Sequence, residues 1–355
     1  MKRCVWRLNH ASWGKWNGPI KGKLRMTETQ TPLLSVTVLN YNYARFLKEC
    51  LESILSQTFT DFEVIVVDDC SKDESLKVIE PFLADPRIRL VSHAKNHGYI
   101  ASLLEGSSSM SRGKYITVIS ADDVACRNDA FERQVALLES NPGVNFCFSS
   151  FAKLVEGQDQ PEHHSFKNDR VVPGAELIRG ILTNRQIAIL HTGTMLRASA
   201  YRAVGGYASH LRYACDTDMW LRLSVEGDAG YVSDALYGYR IHASQMSGVG
   251  DFEGQMRETL GVIESGVERA RTRHVIDAQV LRRGRRTFLF GAAIDEAFRG
   301  HAKVAIERCR VVFAMGPSDA LVSREFWIVL LRVLLGRRPF DLLASVVGSP
   351  RSRTS

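Results

Sequence analysis

Two apolar runs, each ending in a pair of acids, constrain this chain more than any other feature. The first, FEVIVVDDCSKDES, occupies residues 62–75, and the second, YITVISADDV, occupies residues 115–124. A β-branched run such as residues 64–67 reads as a strand buried on both faces, the pattern of a parallel sheet. Asp68, Asp69, Asp122 and Asp123 then stand at carboxyl ends of strands. In an open α/β sheet that rim is where ligands bind, and two acidic ends suggest one site for a cation and something phosphorylated.

The segments around these runs alternate in the same rhythm. Residues 34–39, LSVTVL, read as a first strand, with Asn40, Tyr41 and Asn42 as a turn. Leu47, Cys50, Leu51, Ile54 and Leu55 fall at helical spacing and predict an amphipathic helix packed on the sheet. After the second strand, Ser71 or Asp73 is placed to cap a helix carrying Leu76, Ile79 and Phe82. A third strand over 88–91, a turn at Gly98 and a helix over 101–110 follow. The fourth strand covers 115–119, then a helix runs from about Asn128 to Glu139 and a strand over 144–148. This alternation predicts a doubly wound, mostly parallel, Rossmann-like α/β sheet with right-handed crossovers.

After residue 150 the rhythm breaks. Residues 156–170 are too charged to bury and read as a loop or excursion. Residues 174–244 are less regular, with a helix over 175–182, the segment HTGTML from His191 and a turn at Gly205 and Gly206. An amphipathic helix near 219–225 and a strand over 230–240 lead to His242. Beyond Ser247 the pattern becomes helical and basic, a C-terminal appendage over 248–355.

The net charge of +7 resembles a hint of nucleic acid, but its position removes the hint. Residues 1–25 carry seven Lys or Arg and no acid, and the remainder balances. This leader, with Trp6, Trp13 and Trp16, has no apolar run suited to a signal peptide. It reads either as a segment ahead of a fold that starts near Met26, or as a basic surface anchor for anionic lipid. Seven cysteines without CxxC or Cys/His ligand spacing signal neither a disulfide framework nor zinc, which fits a reducing, cytoplasmic setting. The apolar stretch 326–335 is half the length a bilayer requires, which is about twenty residues. It reads as a core helix or as a peripheral membrane contact.

A divalent cation bridging two phosphates needs only one or two hard oxygens from protein. Adjacent residues of an extended segment point opposite ways, so one of Asp122 and Asp123 faces the metal. Asp123 is the expected ligand for Mg or Mn and Asp122 the partner of a ribose hydroxyl, although acids after strands also cap helices and make turns. Asp69 is expected to accept from a base N–H while Tyr41 stacks on the ring. Neither G-x-G-x-x-G after strand one nor a P-loop is present. In YACDTDMWLRL, Asp218 suits a helix N-cap and Asp216 suits a general base. Arg222 is expected either to orient Asp216 or to be an ordinary surface charge.

The segments SVTVLNYN, SILSQTFTDFEVIVVDDCSKDES, GKYITVISADD, HTGTML, CDTDMWLRL and YRIHASQMS resemble, in that order, the family 2 glycosyltransferases with their GT-A fold. The resemblance covers residues 34–247. It implies base binding by Tyr41 and Asp69, ribose and metal binding by Asp122 and Asp123, and Asp216 as the base of an inverting displacement. It also implies, more loosely, that His242 is a metal or diphosphate ligand. The partners implied are a nucleotide-sugar donor, with UDP or dTDP preferred, and a glycan or lipid-linked acceptor. Ser120 replaces the first Asp of a common Asp-x-Asp, Cys215 replaces a Glu often found before the catalytic Asp, and Leu104 replaces a polar residue. Two other readings use the same residues: an acidic phosphotransfer pocket around Asp68 and Asp69, and a non-catalytic module that binds anionic surfaces. The first lacks the Asp-x-Asp-x-Thr/Val such phosphatases carry after strand one.

Overall fold

The computed structural model of the protein describes residues 31–155, 161–184, 187–242, 244–245 and 252–273, with isolated positions further on. The expected leader, all but isolated positions of the helices beyond residue 280 and all but four positions of the 326–335 stretch lie outside the described residues. The chain opens with β1 (Leu34–Asn40), α1 (Ala44–Leu55), β2 (Phe62–Asp68), α2 (Ser75–Ile79), β3 (Ile88–Ser92) and α3 (Tyr99–Leu104). It continues through β4 (Tyr115–Ser120), β5 (Val124–Ala125), α4 (Ala130–Ser140), β6 (Val144–Leu154), β7 (Glu162–His163), β8 (Arg170–Val172) and α5 (Gly174–Arg179). Last come β9 (Met195–Arg197), α6 (Ala198–Ala203), α7 (Cys215–Glu226), β10 (Asp228–Arg240) and α8 (Phe252–Thr272).

The sheet order is β3-β2-β1-β4-β9-β6-β10-β5, with β7 on β6 and β8 on β10. Pairings among β3, β2, β1 and β4, and between β6 and β10, are parallel. The short β9 runs antiparallel between β4 and β6. The α/β architecture and mostly parallel sheet are those the sequence predicts. The differences lie in the second half: at three residues β9 is too short to show a period, and the charged 156–170 segment contributes β7 and the first residue of β8. Helix α3 gives way to a wider π-turn over Glu105–Met110.

Alternation along the strands builds two cores. Ile65 and Val67 face the layer containing Leu103, Leu177, Trp220 and Val262, from α3, α5, α7 and α8. Val64 and Val66 face the other layer, with Leu47, Leu51 and Ile54 of α1 and Phe131 and Leu138 of α4. Each such side chain stabilises the fold by roughly 1.5–3 kcal/mol on burial. Two occupied faces therefore fix strand register, because a one-residue slip would exchange the layers. Helix α8, on the carboxyl side of residue 247, contributes Val262, Ile263 and Ala270 to the same core as α7.

Candidate active site

The carboxyl ends of β1 and β2 are tied into one rim. Asn40 Nδ2 donates to Asp68 Oδ1 at 2.6 Å, and Ser71 Oγ donates to the same oxygen at 2.6 Å. Asn42 and Cys70 both adopt positive φ, +60° and +63°, so each strand turns sharply where it ends. Asp73 joins the following helices: Oδ2 accepts from Ala44 N at 2.9 Å, at the start of α1, and Oδ1 accepts from Ser75 N at 3.0 Å, at the start of α2. Asp68 and Asp73 are therefore framework, and Asp73 rather than Ser71 holds the α2 start.

Tyr41 projects from this frame and Asp69 is buried within it. Tyr41 is 44% exposed, which leaves its ring available for stacking. Asp69 Oδ1 accepts from His97 N and lies 2.7 Å from His93 Nδ1, while Oδ2 accepts from Gly98 N at 2.8 Å. Gly98 takes φ +88°, a left-handed turn that suits glycine, to aim that N–H. Burial works against the Asp69 charge, but these donors more than offset it and lower its pKa. His93 Nε2 meets Glu105 Oε2 at 2.6 Å, so the imidazole bridges two carboxylates. Burial opposes its charge too, yet Asp69 and Glu105 hold its pKa above the ordinary value. His97 stacks on it with centroids 4.5 Å apart.

At the end of β4 the two acids take different surroundings. Asp123 Oδ2 accepts from Thr192 Oγ1 at 2.5 Å, and Oδ1 accepts from Arg240 N at 2.9 Å. Burial, and then the neighbouring Asp122, push the Asp123 carboxyl up from its usual range. Asp122 Oδ2 lies 3.0 Å from His242 Nε2, while its buried Oδ1 has no hydrogen-bond partner. His242 is held by Phe46 at 4.8 Å between centroids, edge-on to Tyr43, with Nδ1 3.3 Å from Arg45 Nη2. This packing brings the end of β10 to the start of α1. Among the described residues no three His, Cys, Asp or Glu gather into a protein-only metal cage. An orphaned buried carboxylate oxygen beside an imidazole does suit a Mg or Mn ion that shares its shell with phosphate oxygens.

Asp216 opens α7, half-buried. Its Oδ1 accepts from Thr217 N at 2.5 Å, and Oδ2 has no partner among the described residues. Burial raises its pKa, making it a stronger base than a solvated carboxylate. Asp218 does not cap the helix. Arg222 Nε donates to it at 2.8 Å, one turn along α7, and Arg222 Nη1 donates to Val204 O at 2.7 Å, so neither reading of Arg222 holds. The position six residues from Asp216 lies on another face, whereas i,i+4 partners meet.

A partly buried polar chain links Tyr99, His191 and Tyr207. Tyr99, directly after Gly98, has its hydroxyl 2.5 Å from His191 Nδ1, and His191 Nε2 lies 2.8 Å from Tyr207 Oη. Burial lowers the His191 pKa to about 4, so the ring is neutral. Burial first, then Cys215, Tyr207, Asp216 and Asp122, push the Tyr99 hydroxyl well up. The charges of Asp216 and Asp122 thus bear on one hydroxyl next to the turn that holds Asp69. Gly193 (φ +76°), whose added Cβ would run into the Tyr237 ring, carries the loop past β4 so that Thr192 reaches Asp123. Thr192 and His191 lie in HTGTML and Arg240 in YRIHASQMS, so those motifs had marked them. No signal in the sequence marked His93 or Glu105.

The fold is that of the GT-A glycosyltransferases. S. aureus TarS, residues 1–349 in complex with UDP, matches with a TM-score of 0.60 at 16% identity, covering 87% of this chain and 88% of that one. The mannosyltransferase PcManGT from Pyrobaculum calidifontis, in complex with GDP-Man and Mn2+, matches at 0.53 and 15%, covering 89% and 84%. In sequence, putative glycosyltransferase EpsE of Bacillus subtilis is 33% identical over 214 residues, 59% of this chain and 73% of that protein. Chondroitin synthase of Pasteurella multocida is 28% identical over 249 residues, 68% of this chain and 24% of that protein. Residues 35–205 match the profile described as Glycosyl transferase family 2. The chain belongs to glycosyltransferase family 2.

Proposed function

We propose that this protein is an inverting glycosyltransferase that moves a sugar from a UDP- or dTDP-linked donor to a hydroxyl of a glycan or lipid-linked acceptor in cell-surface polysaccharide synthesis. The observation that carries the reading is the division among the rim acids. Asp68, Asp69, Asp73 and Asp123 each have both oxygens bonded within the protein, while Asp122 Oδ1 and Asp216 Oδ2 have no such bond. The relatives support it: TarS was solved with UDP, and chondroitin synthase names a polysaccharide product.

In this mechanism Tyr41 stacks on the base, and Asp69, with a lone-pair direction left on Oδ2, accepts from its N–H. The acceptor hydroxyl gives its proton to Asp216 Oδ2 as its oxygen attacks the anomeric carbon. The bond from that carbon to the diphosphate oxygen breaks on the opposite face, the nucleoside diphosphate leaves with the electron pair, and the configuration inverts. A divalent cation held by Asp122 and His242 would supply positive charge to the departing diphosphate. On this reading the expected division between the β4 acids is reversed: Asp123, with both oxygens engaged, fastens β4 to β10, and Asp122 would hold the metal. Six described cysteines are free thiols, in keeping with the cytoplasmic face of a membrane. No described helix is long and apolar enough to cross one.

The test is thermal melting with UDP, dTDP, GDP and ADP, each with and without Mn. Saturation with a true ligand at about 100 times its Kd stabilises the fold by about 2.7 kcal/mol. A melting temperature unmoved by every nucleotide in the presence of Mn would sink the reading.

A further inference from the structure

Helix α8 lies on the carboxyl side of residues 35–205, which match the family profile, yet it reaches back to the start of α7. Glu258 Oε1 accepts from Tyr213 N at 2.5 Å and Ala214 N at 2.7 Å, and Oε2 accepts from Arg212 N at 2.9 Å. Three consecutive amides thus converge on one carboxylate immediately ahead of Asp216. Helix α7 has no cap of its own, because Ala214 stands at the N-cap and offers no side-chain acceptor. Charge-assisted bonds from backbone N–H to carboxylate are the strong kind, and the positive end of α7 favours an anion there.

The contact is one of three between the two helices. Midway, an added Cβ at Gly266 would come within 2.7 Å of Leu221 Cδ1, so the helices approach closely there. At the far end Arg273 Nη2 meets Glu226 Oε1 at 3.1 Å. Contacts at 258 with 213, 266 with 221 and 273 with 226 mean that α8 runs parallel to α7 in a fixed register. Val262, one turn from Glu258, is buried in the shared core, which leaves little freedom for the carboxylate.

We propose that Glu258 is a positioning residue for glycosyl transfer: it fixes the turn at residues 212–214 and thereby the direction in which the Asp216 carboxylate faces the acceptor. The proposal rests on Asp216 being the base. It makes turnover depend on the C-terminal region through one side chain bonded to the 212–214 amides.

The experiment uses the full chain and the sugar nucleotide whose diphosphate stabilises it most in the melting screen, reading nucleoside diphosphate release. Glu258→Ala is expected to lower kcat roughly 10–100-fold, the cost of misplacing a catalytic group, with the donor KM unchanged. Glu258→Gln, which keeps a carbonyl oxygen for Tyr213 and Ala214, restores most of that loss. Glu258→Asp, one methylene short, falls between and carries the test should the Ala variant not fold. In an Asp216→Asn background Glu258→Ala brings no further loss. A Glu258→Ala or Glu258→Asp protein with lowered melting temperature and undiminished kcat overturns the proposal, as does a second, additive loss in the Asp216→Asn background. If Asp216→Asn is inactive while Glu258→Ala turns over normally, only the positioning role falls. If Asp216→Asn is fully active, the base assignment falls and takes this proposal with it.

Discussion

The sheet carries acids at both ends, and the two ends treat them in opposite ways. Glu63, second residue of β2, is 2% exposed. Its Oε1 accepts from Ser35 Oγ at 2.7 Å and Arg112 N at 3.0 Å, and its Oε2 accepts from Arg89 Nη2 at 2.7 Å and Arg112 Nη2 at 2.8 Å. One carboxylate thus joins β1, β2, β3 and the lead into β4. Burial opposes its charge, but Arg112, Ser35 and Arg89 overcome that and lower its pKa. Asp122, at the opposite end of the sheet, is 7% exposed, yet one oxygen has no donor. An acid whose lone pairs the protein fills is structure; an acid left with an open lone pair is held for something the protein binds.

If the comparison holds, substitutions at the two ends should separate stability from activity. The largest effect is expected at Asp216. Asp216→Asn should lower transfer by about 10²–10⁴-fold, the range for loss of a general base, with nucleotide-induced stabilisation intact. Steady-state rates beside melting curves check this, and unchanged turnover would remove Asp216 from the mechanism. Next comes Glu63→Gln, which leaves two arginines short of a charge. Because those arginines are partly exposed, the expected cost is about 2–4 kcal/mol rather than the full value for a buried pair. Urea unfolding measures it, and kcat per folded molecule should not change. A large loss of kcat would mean that the amino end also serves the chemistry.

Much of this geometry was open to a reader of the sequence. The runs that became β1, β2 and β4 are β-branched, and those that became β6 and β10 carry aromatic residues at short spacing, which is enough to mark them as strands; the acids after β2 and β4 followed directly. Glu63 was passed over because it sits inside an apolar run, where one polar letter in FEVIVV hardly alters the pattern. His93 and Glu105 were invisible for another reason: their meaning depends on two loops meeting around Asp69, which tertiary packing decides. The same holds for Glu258, whose amide partners lie more than forty residues earlier in the chain. Arg222 was misjudged on local geometry alone, since a helix turns position 222 toward Asp218.

Asp122→Asn removes a buried charge with only His242 near one oxygen, so stability should stay level or rise by up to about 1 kcal/mol. Stabilisation by nucleoside diphosphate plus Mn should vanish, while any Mn-independent part from base stacking persists. A marked loss of intrinsic stability would show that Asp122 belongs with Glu63 as framework.

The smallest effect expected is a pH slope, and it tests which kind of acid Asp69 is, since it shows features of both ends. The Asp69 pKa is lowered in the fold, so its contribution is present above the unfolded carboxylate value near 4 and is lost as pH falls through the lower folded value. The His93 pKa is raised, so its contribution is complete below the unfolded value near 6.5 and is lost as pH rises through the folded one. The bridge from Asp69 through His93 to Glu105 is therefore strongest between those limits. Stability of the wild type relative to His93→Gln should be greatest near pH 5–6 and shrink toward pH 8, as read from denaturant midpoints across that range. A difference that stays constant with pH would mean that His93 holds Asp69 as a neutral ring, and the base pocket would then owe its shape to the His97 and Gly98 amides alone.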